Sequence, residues 1–394
     1  MLHAVAQALM MAFAMFWAIL WALILGFGLS AIVQAVVSKG EISRLLPDDS
    51  PRSLGLALAL GAASSSCSYA AVALTRALFR KGANFTAAIA FELASTNLVL
   101  ELGIILAVLM GWRFTLAEFL GAPLMVVFLV LLFRAFLHPQ QVEVARRQAD
   151  RGVAGSMEGH AAMDMSVSEQ GTLWQRISSP AGFTAISQYF VMDWAAVWRD
   201  IGGGLLIAGA LAAWVPQQFW QAFFLVSHPR LAVYWGPLVG PLVAVLSFVC
   251  SVGNVPLAAV LWNGGSSFGG VIAFLFADLI IVPILNIYRK YYGGRMSLFL
   301  FATMYIAMAV AALGIEFLFR LLHLMPTTHA VRLVNSGISW NYTSILNIVF
   351  LGLATLLVLR FFRTGGAPML GMMGGMPSSA GSQPAHGGAE AHSS

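Results

Sequence analysis

Residues 8–37 contain no charged side chain. A helix needs about 20 apolar residues to cross roughly 30 Å of hydrocarbon, so this stretch alone points away from a water-soluble globule. The rest of the chain agrees. Of 394 residues, 59% are hydrophobic and 9% charged, and the mean hydropathy is +0.83; an ordinary soluble domain carries about 25% charged residues. The 21 Lys and Arg and 16 Asp and Glu cannot solvate the surface of a globule this size. A soluble enzyme, a nucleic-acid binder and a disulfide-stapled secreted domain are therefore excluded. The net charge of +5 matches the slight basic excess of membrane-protein loops. The reading is an all-α, polytopic protein of a bacterial-type inner (plasma) membrane, with the lipid bilayer as its main partner. Met1-Leu-His-Ala has no basic n-region, so the first apolar stretch is expected to be a retained span and not a cleaved leader.

Further spans are expected at 54–79, 84–110, 115–137, 201–215, 236–262, 267–288, 296–322 and 341–362, giving about eight to nine in all. Two are interrupted: one at Ser64-Ser65-Ser66-Cys67-Ser68, the other at Cys250-Ser251-Val252-Gly253-Asn254. The expected organisation is a first membrane repeat (1–137), a polar linker and interfacial segment (138–199), a second membrane repeat (200–322), a last span (323–363) and a disordered Met/His/Gly tail (364–394). A short helix is expected near 140–150. With nine simple crossings, the basic linker and the loop cluster Tyr288-Arg289-Lys290-Tyr291-Tyr292 fall on opposite sides. Either a span is miscounted or a broken segment is re-entrant; the linker is assigned to the cytoplasm.

Residues 67–99 laid over 250–282, without a gap, give twelve identities in 33 positions. Among them are Cys67/Cys250, Ser68/Ser251, Gly82/Gly265, Phe85/Phe268, Phe91/Phe274 and Val99/Val282. Biased composition does not readily place matching cysteines, glycines and phenylalanines in register. Duplicated units with broken helices are a common build for secondary transporters, whose site lies between the repeats near mid-membrane. Whether the copies are parallel or inverted stays open at this point.

The interruptions carry the candidate chemistry. Unwound backbone at membrane depth survives only where it is buried in protein or lines a cavity. Ser66, Ser68, Ser251 and Asn254 would offer hydroxyls and an amide to a small-molecule or ion substrate. Cys67 and Cys250 are either small buried hydrophobes or a pair of soft ligands for a metal or metalloid. Glu92, Glu101 and Asp278 are carboxyls inside spans, which are costly there and are functional candidates by default. A desolvated carboxyl suits a group that takes up and releases a proton; the structural alternative is an interhelical hydrogen bond or a partnership with Arg76. Asn97 and Glu101, four apart, are expected on one helix face. Glu316 and Arg320 form an i,i+4 pair of structural character. Two Met/His patches are flexible extensions or weak soft-ligand sites: His160, Met163 and Met165 in the linker, and Met369, Met372, Met373, Met376, His386 and His392 in the tail.

The segments Ser66-Cys67-Ser68, Arg76 to Ala83, Ala87 to Asn97 and Cys250 to Leu257 resemble the predicted-permease family that includes the ArsP-type organoarsenical permeases. The resemblance covers roughly 55–135 and 185–320. It implies about eight spans in two related halves, and export of trivalent organoarsenicals with motif cysteines holding the metalloid. Cys67 and Cys250 match the first motif cysteine. Tyr69 and Val252 stand where the second would be, and Ala73 and Pro256 where the motif proline would be, so three-thiolate capture is not supported and another soft substrate is open. No Gly-x-x-x-x-Gly-Lys-Ser/Thr motif is present. The expectation is a permease, not an enzyme, without a cofactor. It exports a soft metal or metalloid species by alternating access, coupled to protons. A passive channel and a membrane assembly subunit are the alternatives, and a homo-oligomer is an open option.

Overall fold

The computed structural model describes residues 2–36, 46–64, 68–80, 82–150, 167, 173–247, 251–326 and 342–373. Among the described residues there is no strand. The helices are α1 (Leu2–Val36), α2 (Pro51–Ser64), α3 (Ser68–Arg80), α4 (Phe85–Asn97), α5 (Leu100–Leu109), α6 (Trp112–Phe136), α7 (Pro139–Asp150), α8 (Leu173–Ser178), α9 (Pro180–Trp214) and α10 (Gln217–Phe223). They continue as α11 (Pro229–Ser247), α12 (Ser251–Asn263), α13 (Phe268–Phe276), a 3-10 turn (Ala277–Leu279), α14 (Val282–Tyr292), α15 (Gly294–Leu321), α16 (Tyr342–Arg363) and α17 (Ala367–Met373). The all-α, multi-pass membrane architecture read from the sequence holds. By length and composition six described helices can cross a membrane, or seven if the pair bent by 41° at residues 280–281 is one span.

Contacts at the helix ends decide which segments cross. Gly61 of α2 packs on Phe91 and Ala94 of α4, while the Asn84 amide donates to the Leu46 carbonyl at 2.8 Å. The chain entering α2 and the chain leaving α3 therefore meet at one face, and α2–α3 is a re-entrant hairpin. From that face α4 and α5 cross and α6 returns: Phe85 stacks on Phe133 with centroids 6.1 Å apart, and Arg134 binds Asp49 at 2.9 Å. In the second half, Gly236 and Gly240 of α11 lie on Ser267, Gly270 and Phe274, so α11 and α13 run side by side in the same direction. The start of α11 and the end of α12 line one groove, making α11–α12 a second hairpin. It opens at the opposite face, since Phe268 packs on Phe114 (5.0 Å) and Phe319 (5.0 Å). The end of α14 returns to the first face, where Tyr292 meets Phe85 at 5.5 Å. Segments 54–79 and 236–262, expected as crossings, are thus hairpins. The candidates by length and composition are α1, α4–α5, α6, α11, α15 and α16 with the bent pair α13–α14; the hairpin contacts remove α11 from this set, and the 35-residue α9, antiparallel to α1, joins it.

Local chemistry explains the breaks. Ser95, Thr96 and Asn97 all turn their side chains back onto the Glu92 and Leu93 carbonyls at 2.8–3.3 Å, competing with the backbone ladder. The helix ends at Leu98 (φ −102°, ψ 22°) and resumes after Val99 (φ −90°, ψ 144°). Asn97 and Glu101 therefore sit on different helices and not on one face. The second crossing breaks at Ile281, which is extended (φ −65°, ψ 149°), and restarts with Pro283 in the first turn of α14, where a missing amide costs nothing. Each hairpin leaves into the next helix through a glycine of positive φ, Gly82 (105°) and Gly265 (98°), a conformation a side chain strains. Asn84 then caps α4 and Ser267 caps α13.

Around this centre, α1 and α9 form an antiparallel pair. Trp214 Nε1 donates to the Ala4 carbonyl at 2.9 Å, and Phe27 packs on Trp194 at 5.2 Å. The helix α9 runs unbroken across the expected boundary at 199/200, so the interfacial segment and the span after it are one element. The short helix expected near 140–150 is α7. It lies across the mouth of the first hairpin: Arg146 donates to the Phe79 carbonyl at 2.5 Å, and Arg76 donates to Ala149 at 2.6 Å. We refer to this end of the bundle as the α7 face.

Candidate functional site

The two hairpins enter from opposite faces, and both helix breaks lie between them. At that junction the Ser68 hydroxyl, the first residue of α3, donates to Asp278 Oδ2 at 2.7 Å. Asp278 is fully buried in the 3-10 turn, and Thr96 and Asn97 of the first break also face its carboxyl. Glu92 lies toward the α7 face. The Tyr288 hydroxyl of α14 donates to Glu92 Oε1, and Thr75 of α3 borders the same carboxyl. A third carboxyl, Glu118 on α6, is 0% exposed, one turn before Gly121, which packs on Phe276 next to the 3-10 turn. Among the described residues, Glu92 Oε2, Asp278 Oδ1, both Glu118 oxygens, Asn97 Oδ1 and Asn254 Nδ2 are buried without a hydrogen-bond partner. Native proteins leave few such atoms. Those of Asp278 and Asn97 lie at the two helix breaks and mark a place for protons, water or a polar ligand, with Glu92 and Glu118 on either side of it.

Comparison with known proteins fits this geometry. The family model ArsP_1, described as a predicted permease, matches residues 4–317. The chain belongs to this predicted permease family. A Mycobacterium tuberculosis (strain H37Rv) protein named "Putative permease Rv2963" is 62% identical over 342 residues, covering 87% of this chain and 84% of the relative. No solved structure matches the chain. The resemblance read from the motifs is thus shown, and the permease is a multi-pass integral membrane protein of a transporter family; in bacteria its place is the plasma membrane.

Of the residues singled out from the sequence, the permease brings Ser68, Glu92 and Asp278 to the junction. Ser251 and Asn254 are buried at the start of α12, where the Ser247 hydroxyl donates to Asn254 Oδ1 at 3.4 Å across the second hairpin tip. Glu101 lies apart, in the first turn of α5 against Gly26 of α1. Ser66, Cys67 and Cys250 lie outside the described residues, as do His160, Met163, Met165, Met376, His386 and His392. Met369, Met372 and Met373 belong to α17. Among the described residues no three His, Cys, Asp or Glu side chains gather as a metal site. Arg76, weighed as a partner for Glu92, reaches the Ala149 carbonyl and stacks over Tyr291 at 4.3 Å. Glu316 and Arg320 do pair, at 2.7 Å, and Glu316 Oε2 accepts from the Gly269 amide, which anchors the start of α13.

Sequence reasoning missed Glu118 and Tyr288. The signal for Glu118 was available, because any carboxyl inside a span is a functional candidate. Tyr288 was read as part of a basic loop, and only the tertiary fold reveals that it faces inward onto Glu92.

Proposed function

We propose that the permease exports a soft metal or metalloid species, of the trivalent organoarsenical kind, by alternating access in exchange for protons. The observation that carries this reading is the Ser68–Asp278 hydrogen bond. It joins the tip of one re-entrant hairpin to the broken helix of the other half, at mid-path, beside unpartnered polar atoms. Cys67 and Cys250 precede Ser68 and Ser251 directly in sequence; as soft ligands they would suit such a cargo. Tyr69 and Val252 stand where a second thiol would be, which favours a two-thiol cargo over one needing three.

The halves are two inverted copies of one unit in this reading. Three crossings per copy support inversion, because an odd number reverses the second copy. The shared offset of 183 supports it further: α4 and α13 begin at Phe85 and Phe268, each behind a glycine of positive φ, Gly82 and Gly265. With re-entrant hairpins the basic residues also fall together. Arg80, Arg134, Arg146, Arg147, Arg289, Lys290, Arg360 and Arg363 belong to the α7 face, against Arg113, Arg230 and Arg320 at the other. The positive-inside rule then makes the α7 face cytoplasmic.

The test is transport into everted vesicles of a panel of metals and trivalent organoarsenicals, comparing wild type with Cys67→Ser, Cys250→Ser and Asp278→Asn. Expected are saturable accumulation, its loss in both cysteine variants, and loss of proton dependence in Asp278→Asn. Unchanged accumulation in both cysteine variants removes the soft-ligand reading. Flux that neither saturates nor responds to a proton gradient indicates a channel.

A further inference from the structure

We propose that Glu118 is the proton carrier on the far side of the junction, completing a path of three carboxyls, Glu92, Asp278 and Glu118, through the permease. The proposal deepens the proton-coupling part of the function above and rests on it. Glu92 lies seven residues into the crossing that starts at Phe85 on the α7 face, about 10 Å deep at 1.5 Å per residue. Glu118 lies six residues into α6, which starts at Trp112 on the opposite face, about 9 Å deep by the same measure. Asp278 sits between them, at the break of the other crossing. The three carboxyls therefore divide the bilayer thickness into steps.

Glu118 has no structural duty that explains it. It is completely buried, and neither oxygen has a hydrogen-bond partner among the described residues. The charged groups on the surrounding elements are committed elsewhere or negative. On α6 itself, Arg113 donates to the Met325 carbonyl. On α15, Glu316 holds the Gly269 amide and Arg320. On α5, Glu101 packs beside Gly26. On α4, Glu92 takes the Tyr288 hydroxyl. The 3-10 turn supplies Asp278, two residues after Phe276, whose ring lies on Gly121 of α6 close to Glu118. A lone carboxylate in a desolvated site is expensive without a compensating cation, which suits a group that carries a proton. Each step moves one proton from a carboxylic O–H to a carboxylate oxygen, through water where the oxygens are not in contact. No other bond forms or breaks.

Two measurements on the full-length protein test this. The first needs no cargo: infrared difference spectra between acidic and alkaline buffer report protonated buried carboxyls by their C=O stretch. Glu118→Gln should remove one such band, and Glu118→Asp should restore a shifted one. A spectrum unchanged in Glu118→Gln overturns the proposal. The second uses proteoliposomes with an internal pH dye and phenylarsine oxide as the probe. Proton flux on adding the probe should fall about a hundredfold in Glu118→Gln, with partial recovery in Glu118→Asp and wild-type flux in the control Glu316→Gln. Flux within about twofold of wild type in a folded Glu118→Gln protein also overturns it. If the wild type itself moves no protons while the infrared band is lost in the variant, the coupling reading fails and the assignment of Glu118 as a proton-holding group stands.

Discussion

Two hydroxyls, those of Ser68 and Tyr288, each hold one oxygen of a buried carboxyl and leave the other open. Removing either donor strands an acceptor in a site without bulk water, which costs about 1–3 kcal/mol. Tyr288→Phe and Ser68→Ala should therefore lower the thermal unfolding midpoint in detergent. Pairing Ser68→Ala with Asp278→Asn should recover part of the loss, because the two residues share one interaction; strictly additive effects would show that the hydrogen bond contributes nothing. A third carboxyl works outside the bilayer. Asp48, at the neck of the first hairpin, accepts from the Ser50 amide (3.1 Å), the Ser50 hydroxyl (2.7 Å) and the Ser53 hydroxyl (2.5 Å). These bonds, that of Ser53 most, hold its carboxyl below the usual carboxylate range. A depressed acid stabilises the fold above its unfolded pKa and loses that contribution as pH falls through the folded value. Amide-exchange protection at the start of α2, corrected for intrinsic rates, should thus drop on acidification in wild type. In Asp48→Asn it should be low and flat.

At the scale of elements, small residues and polar side chains hold the helices together. A Cβ added at Gly61 would lie 2.5 Å from the Phe91 carbonyl oxygen and 2.7 Å from Ala94 Cβ. The first obstacle is backbone, which does not yield like a side-chain tip. Gly61→Ala should push α2 off α4 and destabilise the protein by about 1–3 kcal/mol, measurable in the same thermal assay. On the periphery, Asn347 of α16 inserts into the ladder of α1, donating to the Trp17 carbonyl at 2.8 Å and accepting from the Trp21 amide at 2.9 Å. Such polar contacts add about 0.6 kcal/mol on average between membrane helices. Asn347→Leu should leave transport intact while reducing disulfide crosslinking between cysteines placed at 17 and 344; full crosslinking would show that apolar packing alone seats α16. These elements were unequally legible in the sequence. The serine run at 64–68 and the Cys-Ser-Val-Gly-Asn run at 250–254 announced interruptions. That each interruption reverses the chain was not written there, because segments 54–79 and 236–262 are long and apolar enough to cross. The reversal depends on distant partners, Leu46 with Asn84 and Gly240 with Gly270. The break after Asn97 had a local signal, three successive side chains able to bond backward, yet the segment reads as one continuous apolar helix.

For the whole molecule, membrane character and family followed from composition and motif, while the proposed sidedness needs the hairpins as well. The orientation can be checked directly. In a protein with Cys67 and Cys250 replaced by Ser, single cysteines at Gln148 and Arg289 should react with a membrane-impermeant maleimide only when the cytoplasmic side is open. Single cysteines at His228 and His323 should react from outside. Labelling of 148 and 289 from different sides would mean that the second hairpin crosses after all. The two broken crossings also shape the electrostatics of the centre. A helix end carries about half an elementary charge, positive at the N-terminus and negative at the C-terminus. Each break brings one end and one start there, α4 with α5 and the 3-10 turn with α14, so their dipoles offset each other in pairs. What is left uncompensated is the ionisation of Glu92, Asp278 and Glu118. In the proposed exchange the number of protons held there sets the polarity of the pathway, with no rearrangement of the backbone charge.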